Sequence, residues 1–74
     1  MARTTTSQPL LAAVGERIRK RREELALSQT EVGEITGLHR TYISDVERGR
    51  RNLSVNVLER IANALQVPIA FFFM

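Results

Sequence analysis

The chain contains no cysteine and only one histidine. Without cysteine, neither disulfide bonds nor thiolate-bound metals can stabilise the fold, and a single histidine is too few for an intramolecular zinc site. Ser28, His39 and Asp45 form no nucleophile–base arrangement, and no glycine-rich loop for phosphates is present. We therefore expect no catalytic residues, no metal and no cofactor, and we predict that the protein is not an enzyme.

Long apolar runs are also missing. No run approaches the roughly 18 to 20 apolar residues that span a bilayer, and the N-terminus lacks the basic-then-apolar pattern of a signal peptide. No separate ligand-binding domain is evident in a chain of 74 residues. We expect a cytoplasmic protein with neither a membrane partner nor a small-molecule ligand.

The residues that are present favour one small globular domain with a polyanionic partner. The chain is 43% apolar and 26% charged, which is typical of a soluble domain near the lower size limit for a self-supporting core. The net charge is +3. Its arginines are concentrated in two clusters, within residues 17–22 and 40–51. Such clusters favour binding to nucleic acid.

Hydrophobic periodicity predicts an all-α fold of five short helices. Residues 1–9 have almost no large apolar side chain and are predicted to be a disordered arm, which leaves residues 10–74 as the folded domain. Leu10, Val14 and Ile18 share one helical stripe, and this first helix is predicted to end near residue 27.

Capping residues locate the next two helices. Ser28 and Glu31 have the spacing of a capping box, and Gly37 suits the left-handed position that ends a helix. A third helix is predicted from about His39 to Arg48, although histidine is a poor N-cap.

Two further signals complete the secondary structure. Ser54 is a predicted N-cap, followed by the apolar stripe of Leu58, Ile61 and Leu65. Pro68 ends this fourth helix and suits the start of a short fifth helix or of a terminal turn.

The second and third helices have the spacing of a helix-turn-helix. Gly33 lies mid-helix, where glycine is costly, so we expect a close approach of the third helix there. If Ile43 and Val46 point inward, the opposite face of the third helix can enter the DNA major groove. The residues predicted to contact base edges are Arg40, Thr41, Ser44 and Asp45.

Several of these predictions have alternatives. Asp45 could accept from a cytosine amino group or could pair with Arg48 or Arg50. Tyr42 could contact the DNA backbone or pack at the edge of the core. The cations of residues 17–22 could contact phosphates or form a solvated face. The residues predicted to contact the DNA backbone are Gln29, Tyr42, Arg48, Arg50, Arg51, Asn52 and Arg17.

Residues 14–72 resemble the Cro/repressor-type (Xre-like) helix-turn-helix family, whose fold is lambda-repressor-like. Within it, "LHRTYISDVERGRRNLS" is similar to the segment found in restriction–modification controller proteins. The resemblance implies a homodimeric regulator of pseudo-palindromic sites upstream of its own gene, which activates at low occupancy and represses at higher occupancy. It points to Arg40, Thr41, Tyr42, Ser44 and Arg51. It also implies that Glu47 ties the third helix to the first, through Arg17 or Arg21.

The C-terminal "IAFFFM" is too apolar to be buried entirely in so small a domain. One phenylalanine can cap the core, and the remaining apolar surface is predicted to form a homodimer. The residues predicted at this interface are Ile69, Phe71, Phe72, Phe73 and Met74.

The same sequence features are compatible with other functions. A phage-type repressor or an antitoxin could share the fold, and a protein-interaction module would lack specific DNA binding. Glu31 and Glu34 lie on one face of the second helix, which makes RNA polymerase an additional predicted partner.

Overall fold

The computed structural model describes residues 8–74, which form four α-helices and a C-terminal 3-10 helix. The prediction of an all-α fold is confirmed, and no strand occurs within the described residues. The predicted fifth helix is instead a single short 3-10 segment after Pro68. The elements are α1 (Gln8–Glu24), α2 (Gln29–Thr36), α3 (Arg40–Glu47), α4 (Val55–Ala64) and the 3-10 helix (Ile69–Phe73).

Both ends of α1 differ from the prediction. The helix begins at Gln8, two residues before the predicted start, and the rest of the predicted arm, residues 1–7, lies outside the described residues. It ends at Glu24 because Ala26 adopts a left-handed φ of 57°. The Leu27 amide then donates to the Arg22 carbonyl at 3.1 Å, which closes the last turn. Alanine gives no sequence signal for this conformation, so the end was predicted too late.

The predicted caps of α2 and α4 are confirmed. The Glu31 amide donates to Ser28 Oγ at 3.0 Å, and the Ser28 amide donates to Glu31 Oε1 at 2.7 Å. Gly37 ends α2 with a φ of 78°. At the start of α4, the Val57 amide donates to Ser54 Oγ at 3.1 Å. These local hydrogen bonds satisfy amides that have no partner inside the helix.

One hydrophobic core joins all five elements. Leu10, predicted on the buried stripe of α1, is instead 47% exposed, because the buried part of α1 begins only at Val14. Among residues 8–74, no helix combines the length and apolar character needed to cross a bilayer. The fully buried core consists of Val14, Ile18, Val32, Ile43, Val46, Leu58, Ile61, Ala62, Leu65 and Phe72.

Two glycines allow close helix packing around α3. A Cβ on Gly33 would lie 2.6 Å from the Leu38 carbonyl oxygen, which confirms the predicted packing reason for glycine in α2. Gly15 was not predicted to matter, yet a Cβ there would lie 2.4 Å from the Val46 carbonyl oxygen. Backbone atoms cannot move aside cheaply, so a larger residue at either position would strain the packing. The orientation of α3 therefore depends on glycines in α1 and α2.

We expect Gly33→Ala to lower the free energy of unfolding by about 1 to 3 kcal/mol, because the added methyl group overpacks the turn between α2 and α3. Urea denaturation measures the change. Ala13→Gly, at an exposed position of α1, gives the ordinary helix-propensity cost of about 1 kcal/mol as the reference. Stabilisation by Gly33→Ala, as in an unconstrained helix, would contradict the close approach.

Candidate nucleic-acid interface

Helix α3 begins with a histidine cap. His39 Nδ1 accepts a hydrogen bond from the Thr41 amide at 3.0 Å, so this residue acts as the N-cap despite its poor statistical preference. Gly49, with a φ of 72°, lies just after the helix. Ile43 and Val46 are buried on the inner face, as predicted. The cap and the buried stripe together fix which side chains of α3 face outward.

The outer face of α3 carries the four residues predicted to contact bases. Arg40 and Thr41 are exposed, and Ser44 and Asp45 are half-buried. Because a helix turns by about 100° per residue, Thr41 and Asp45 lie nearly in line, four residues apart. The structure therefore brings Arg40, Thr41, Ser44 and Asp45 onto one accessible helix surface.

Arg51 folds back from the following loop onto this surface. Its guanidinium carbon lies 5.0 Å from the centre of the Tyr42 ring, and its Nε lies 3.5 Å from Asp45 Oδ2. The predicted partners of Asp45, Arg48 and Arg50, are therefore wrong. Tyr42 packs at the edge of the core, which was one of its two predicted roles, and its ring also lies beside the Arg51 cation. Contact of Tyr42 with the DNA backbone stays a prediction.

The loop after α3 extends the same surface. Arg48, Arg50, Arg51 and Asn52 are all exposed, and Arg40 lies at the other end of α3. This surface therefore has four arginines and one accessible carboxylate, that of Asp45. Such a concentration of positive charge on one convex helix and its adjoining loop attracts a polyanion over several ångströms.

The other acid of α3, Glu47, is part of the fold. Its carboxylate accepts from Arg22 Nε at 2.7 Å and from Arg22 Nη2 at 3.1 Å, and the two side chains are only 3% and 13% exposed. The predicted tie between the third helix and the first is present, but its partner is Arg22 and not Arg17 or Arg21. Arg22 lies two turns after Gly15, on the face of α1 that contacts α3. The hydrogen bond to Glu47 raises the pKa of Arg22, although burial opposes this shift.

Gln29, predicted to contact the DNA backbone, also binds this carboxylate. Its Nε2 donates to Glu47 Oε1 at 3.0 Å. The side-chain amide of Gln29 therefore links the start of α2 to the end of α3. This side chain and Arg22 together satisfy the buried acid.

Arg17 lies away from the other predicted DNA-contacting residues. It is two residues after Gly15 and so points about 200° around α1 from the face that contacts α3. There it lines a shallow cleft with Lys20, Arg21, Glu24 and Phe71. Arg21 is held on this side by a hydrogen bond from its Nε to the Leu65 carbonyl at 3.0 Å. The structure thus separates Arg17 from α3.

The predicted dimer residues divide into three groups. Phe72 is 1% exposed and belongs to the core, so its assignment to the interface is wrong and it is the phenylalanine that caps the core. Ile69 and Phe71 are half-buried against that core. Phe73 and Met74 are 55% and 70% exposed. Of the five predicted interface residues, only these last two present their side chains mainly to solvent.

Of the two acids on α2 that were predicted to contact RNA polymerase, one is already hydrogen-bonded within the protein. The carboxylate of Glu31 accepts from the Ser28 amide in the capping box, whereas Glu34 is exposed. Contact of these residues with RNA polymerase stays a prediction.

Comparison with known proteins agrees with this geometry. The model of a family described as helix-turn-helix matches residues 18–72. The restriction–modification controller protein C.AhdI from Aeromonas hydrophila is 36% identical in sequence, and its crystal structure superposes with a TM-score of 0.83 over 85% of this chain and 96% of that one. The controller protein C.Esp1396I, solved as a tetramer in complex with its natural 35 base-pair operator, is 41% identical with a TM-score of 0.78, over 86% of this chain and 84% of that one.

A phage protein is also similar. The immunity repressor of Bacillus phage phi105 is 40% identical over 57 residues, which are 77% of this chain and 40% of the repressor. Several curated relatives are longer than this chain, which spans 40 to 65% of their length. The family model covers most of the chain, and the controller C.AhdI is covered almost completely. The chain therefore belongs to the helix-turn-helix family, and restriction–modification controller proteins are among its relatives.

Proposed function

We propose that this protein is a sequence-specific DNA-binding transcription regulator that acts as a homodimer on pseudo-palindromic operators. The observation that carries the proposal is the outer face of α3, where Arg40 and Thr41 are exposed and are followed by three exposed arginines at positions 48, 50 and 51. An α-helix of this kind fits the major groove of B-DNA. The family to which the chain belongs supports the same conclusion.

In this proposal, the outer face of α3 contacts the bases of DNA, and the loop after α3 contacts the phosphate backbone. The fork of Arg40 matches the O6 and N7 acceptors of guanine, while Thr41 and Ser44 contact neighbouring base edges or a thymine methyl group. Arg48, Arg50, Arg51 and Asn52 contact phosphates and fix the register. Gln29 and Arg17 do not contact DNA in this proposal, because the side chain of Gln29 is bound to Glu47 and Arg17 lies on the far side of α1.

The exposed Phe73 and Met74 supply the apolar surface for the second copy. A two-fold dimer presents two recognition helices about one DNA turn, roughly 34 Å, apart. Dimerisation then doubles the contact area and explains a pseudo-palindromic site.

A controller of a restriction–modification system is the specific regulator that we favour. The likeness to C.AhdI over 96% of that protein supports it. Such a controller would act in the cytoplasm as both activator and repressor of its own gene. A phage-type repressor is the second candidate, which the likeness to the phi105 immunity repressor favours. Neighbouring genes for a methyltransferase and an endonuclease would decide for the controller.

We expect Arg40→Ala to weaken binding to a matched duplex by about 1 to 3 kcal/mol and to relax specificity at one base pair. The matched duplex is selected by the wild-type protein from a randomised pool, and a shuffled duplex of the same composition gives the reference. Fluorescence anisotropy measures both affinities. Arg17→Ala removes the same charge from the far side of α1 and is the control. Equal weakening on both duplexes by Arg40→Ala would contradict base reading.

A further inference from the structure

The region around α3 contains two arginine–acid pairs that differ in how firmly they are held. Arg22 and Glu47 make two hydrogen bonds, of 2.7 and 3.1 Å, and their side chains are only 13% and 3% exposed. Arg51 and Asp45 approach to only 3.5 Å, with side chains 49% and 27% exposed. This second separation exceeds that of a charge-assisted hydrogen bond. The first pair is therefore a fixed part of the fold, and the second can exchange partners.

The second pair lies on the surface that faces DNA in the proposed function. Asp45 is on the outer face of α3 between Thr41 and the loop, and Arg51 is stacked on Tyr42. A carboxylate beside a cation opposes the attraction of that cation to phosphates. An acid at this position weakens DNA binding unless the DNA itself offers it a hydrogen-bond donor.

We propose, on the basis of the function proposed above, that Asp45 is a specificity-determining residue that keeps Arg51 from binding the phosphates of non-matching DNA. In the free protein, Asp45 and Tyr42 hold the guanidinium of Arg51 at the surface of α3. On a matched site, an exocyclic amino group, such as N4 of cytosine, donates to Asp45 in the major groove. Arg51 is then released to a phosphate. On other sequences the amino group is missing, and the ion pair stays closed.

The exchange predicts how salt should affect binding. Each phosphate that a cation neutralises adds about 0.9 to the slope of log affinity against log salt concentration. In the wild-type protein, Arg51 makes this phosphate contact, and so adds to the salt slope, only on the matched duplex. In Asp45→Asn, Arg51 is free on every sequence. At about 0.1 M salt, one additional phosphate contact corresponds to a roughly eightfold gain in affinity.

The experiment compares Asp45→Asn with the wild-type protein on the selected duplex and its shuffled counterpart, over a series of salt concentrations. We expect affinity for the shuffled duplex to rise roughly eightfold at about 0.1 M salt, with a steeper salt slope, and specificity to fall by at least that factor. Glu24→Gln is the matched control, because it removes one negative charge from the opposite side of α1. A similar gain in that control would overturn the proposal.

A double variant separates release of Arg51 from a general charge effect. In the Arg51→Ala background, Asp45→Asn should no longer strengthen binding to the shuffled duplex, because no cation remains to be released. An equal gain in both backgrounds would overturn the role of the pair, as would an unchanged specificity ratio in Asp45→Asn. If the wild-type protein does not discriminate between the two duplexes at all, the proposed function itself fails, and the proposal with it. Thermal melting shows that each variant remains folded.

Discussion

Arg22→Ala should lower the free energy of unfolding by about 3 to 5 kcal/mol, because it leaves the carboxylate of Glu47 buried without its charged partner. The remaining donor to this carboxylate is the neutral amide of Gln29. A domain of this size has a total stability of roughly 4 to 11 kcal/mol, so the variant is expected to lose between about a quarter and all of its stability. Urea denaturation followed by circular dichroism measures the loss.

Arg19→Ala provides the matched control. Arg19 is in the same helix and also pairs with acids, Glu16 and Glu23, but those pairs are at the surface. We expect its loss to change stability far less than the loss of Arg22, because water screens these surface pairs. A similar effect of the two variants would show that Arg22 contributes no more than a solvated ion pair. Because the bond to Glu47 joins α1 to α3, Arg22→Ala should also abolish DNA binding at temperatures where the wild-type protein binds.

Phe72→Ala and Phe73→Ala should have opposite consequences, although the residues are adjacent. Phe72 is fully buried and lies edge-to-face with Phe71 at a ring-centre distance of 5.8 Å. Its truncation leaves a cavity and should cost about 3 to 5 kcal/mol of stability. Phe73 is 55% exposed, so Phe73→Ala should leave the stability of the isolated protomer nearly unchanged and weaken the dimer.

Denaturation at several protein concentrations and sedimentation equilibrium distinguish these effects. For Phe73→Ala, the dimer dissociation constant should rise while the unfolding midpoint at low concentration stays the same. If Phe73→Ala leaves the dimer constant unaltered, the dimer surface lies elsewhere. If Phe72→Ala is fully stable, the packing of the 3-10 helix against the core is wrong.

Local signals in the sequence predicted the elements well wherever capping chemistry was explicit. Ser28 with Glu31, Gly37, and Ser54 each satisfy or terminate the backbone by bonds to close neighbours, so their structures follow from spacing. The ends of α1 and α4 were harder to locate. Ala26 and Gln66 adopt positive φ at these ends, and neither residue type has a preference that indicates it.

Long-range partners were predicted less accurately. The family resemblance implied that Glu47 ties α3 to α1, but the choice of Arg22 depends on which face of α1 packs against α3. Successive side chains of α1 point about 100° apart around the helix axis, so a shift of one position sends the side chain to a different face. Arg51 lies six residues after Asp45, beyond the helix, and only the path of the loop brings them together.

The sequence by itself determined the all-α fold, the helix-turn-helix and the outward face of α3, because apolar periodicity and caps act over three or four residues. The tertiary structure alone decided which arginines stabilise the fold, which phenylalanine fills the core, and which cation Asp45 restrains. These pairings depend on helix crossing, which the close approaches at Gly15 and Gly33 help to set, and on the path of the loop after α3. Neighbouring arginines, or neighbouring phenylalanines, are chemically identical in the sequence. Only their burial in the folded protein distinguishes the members that stabilise the fold from those that face solvent.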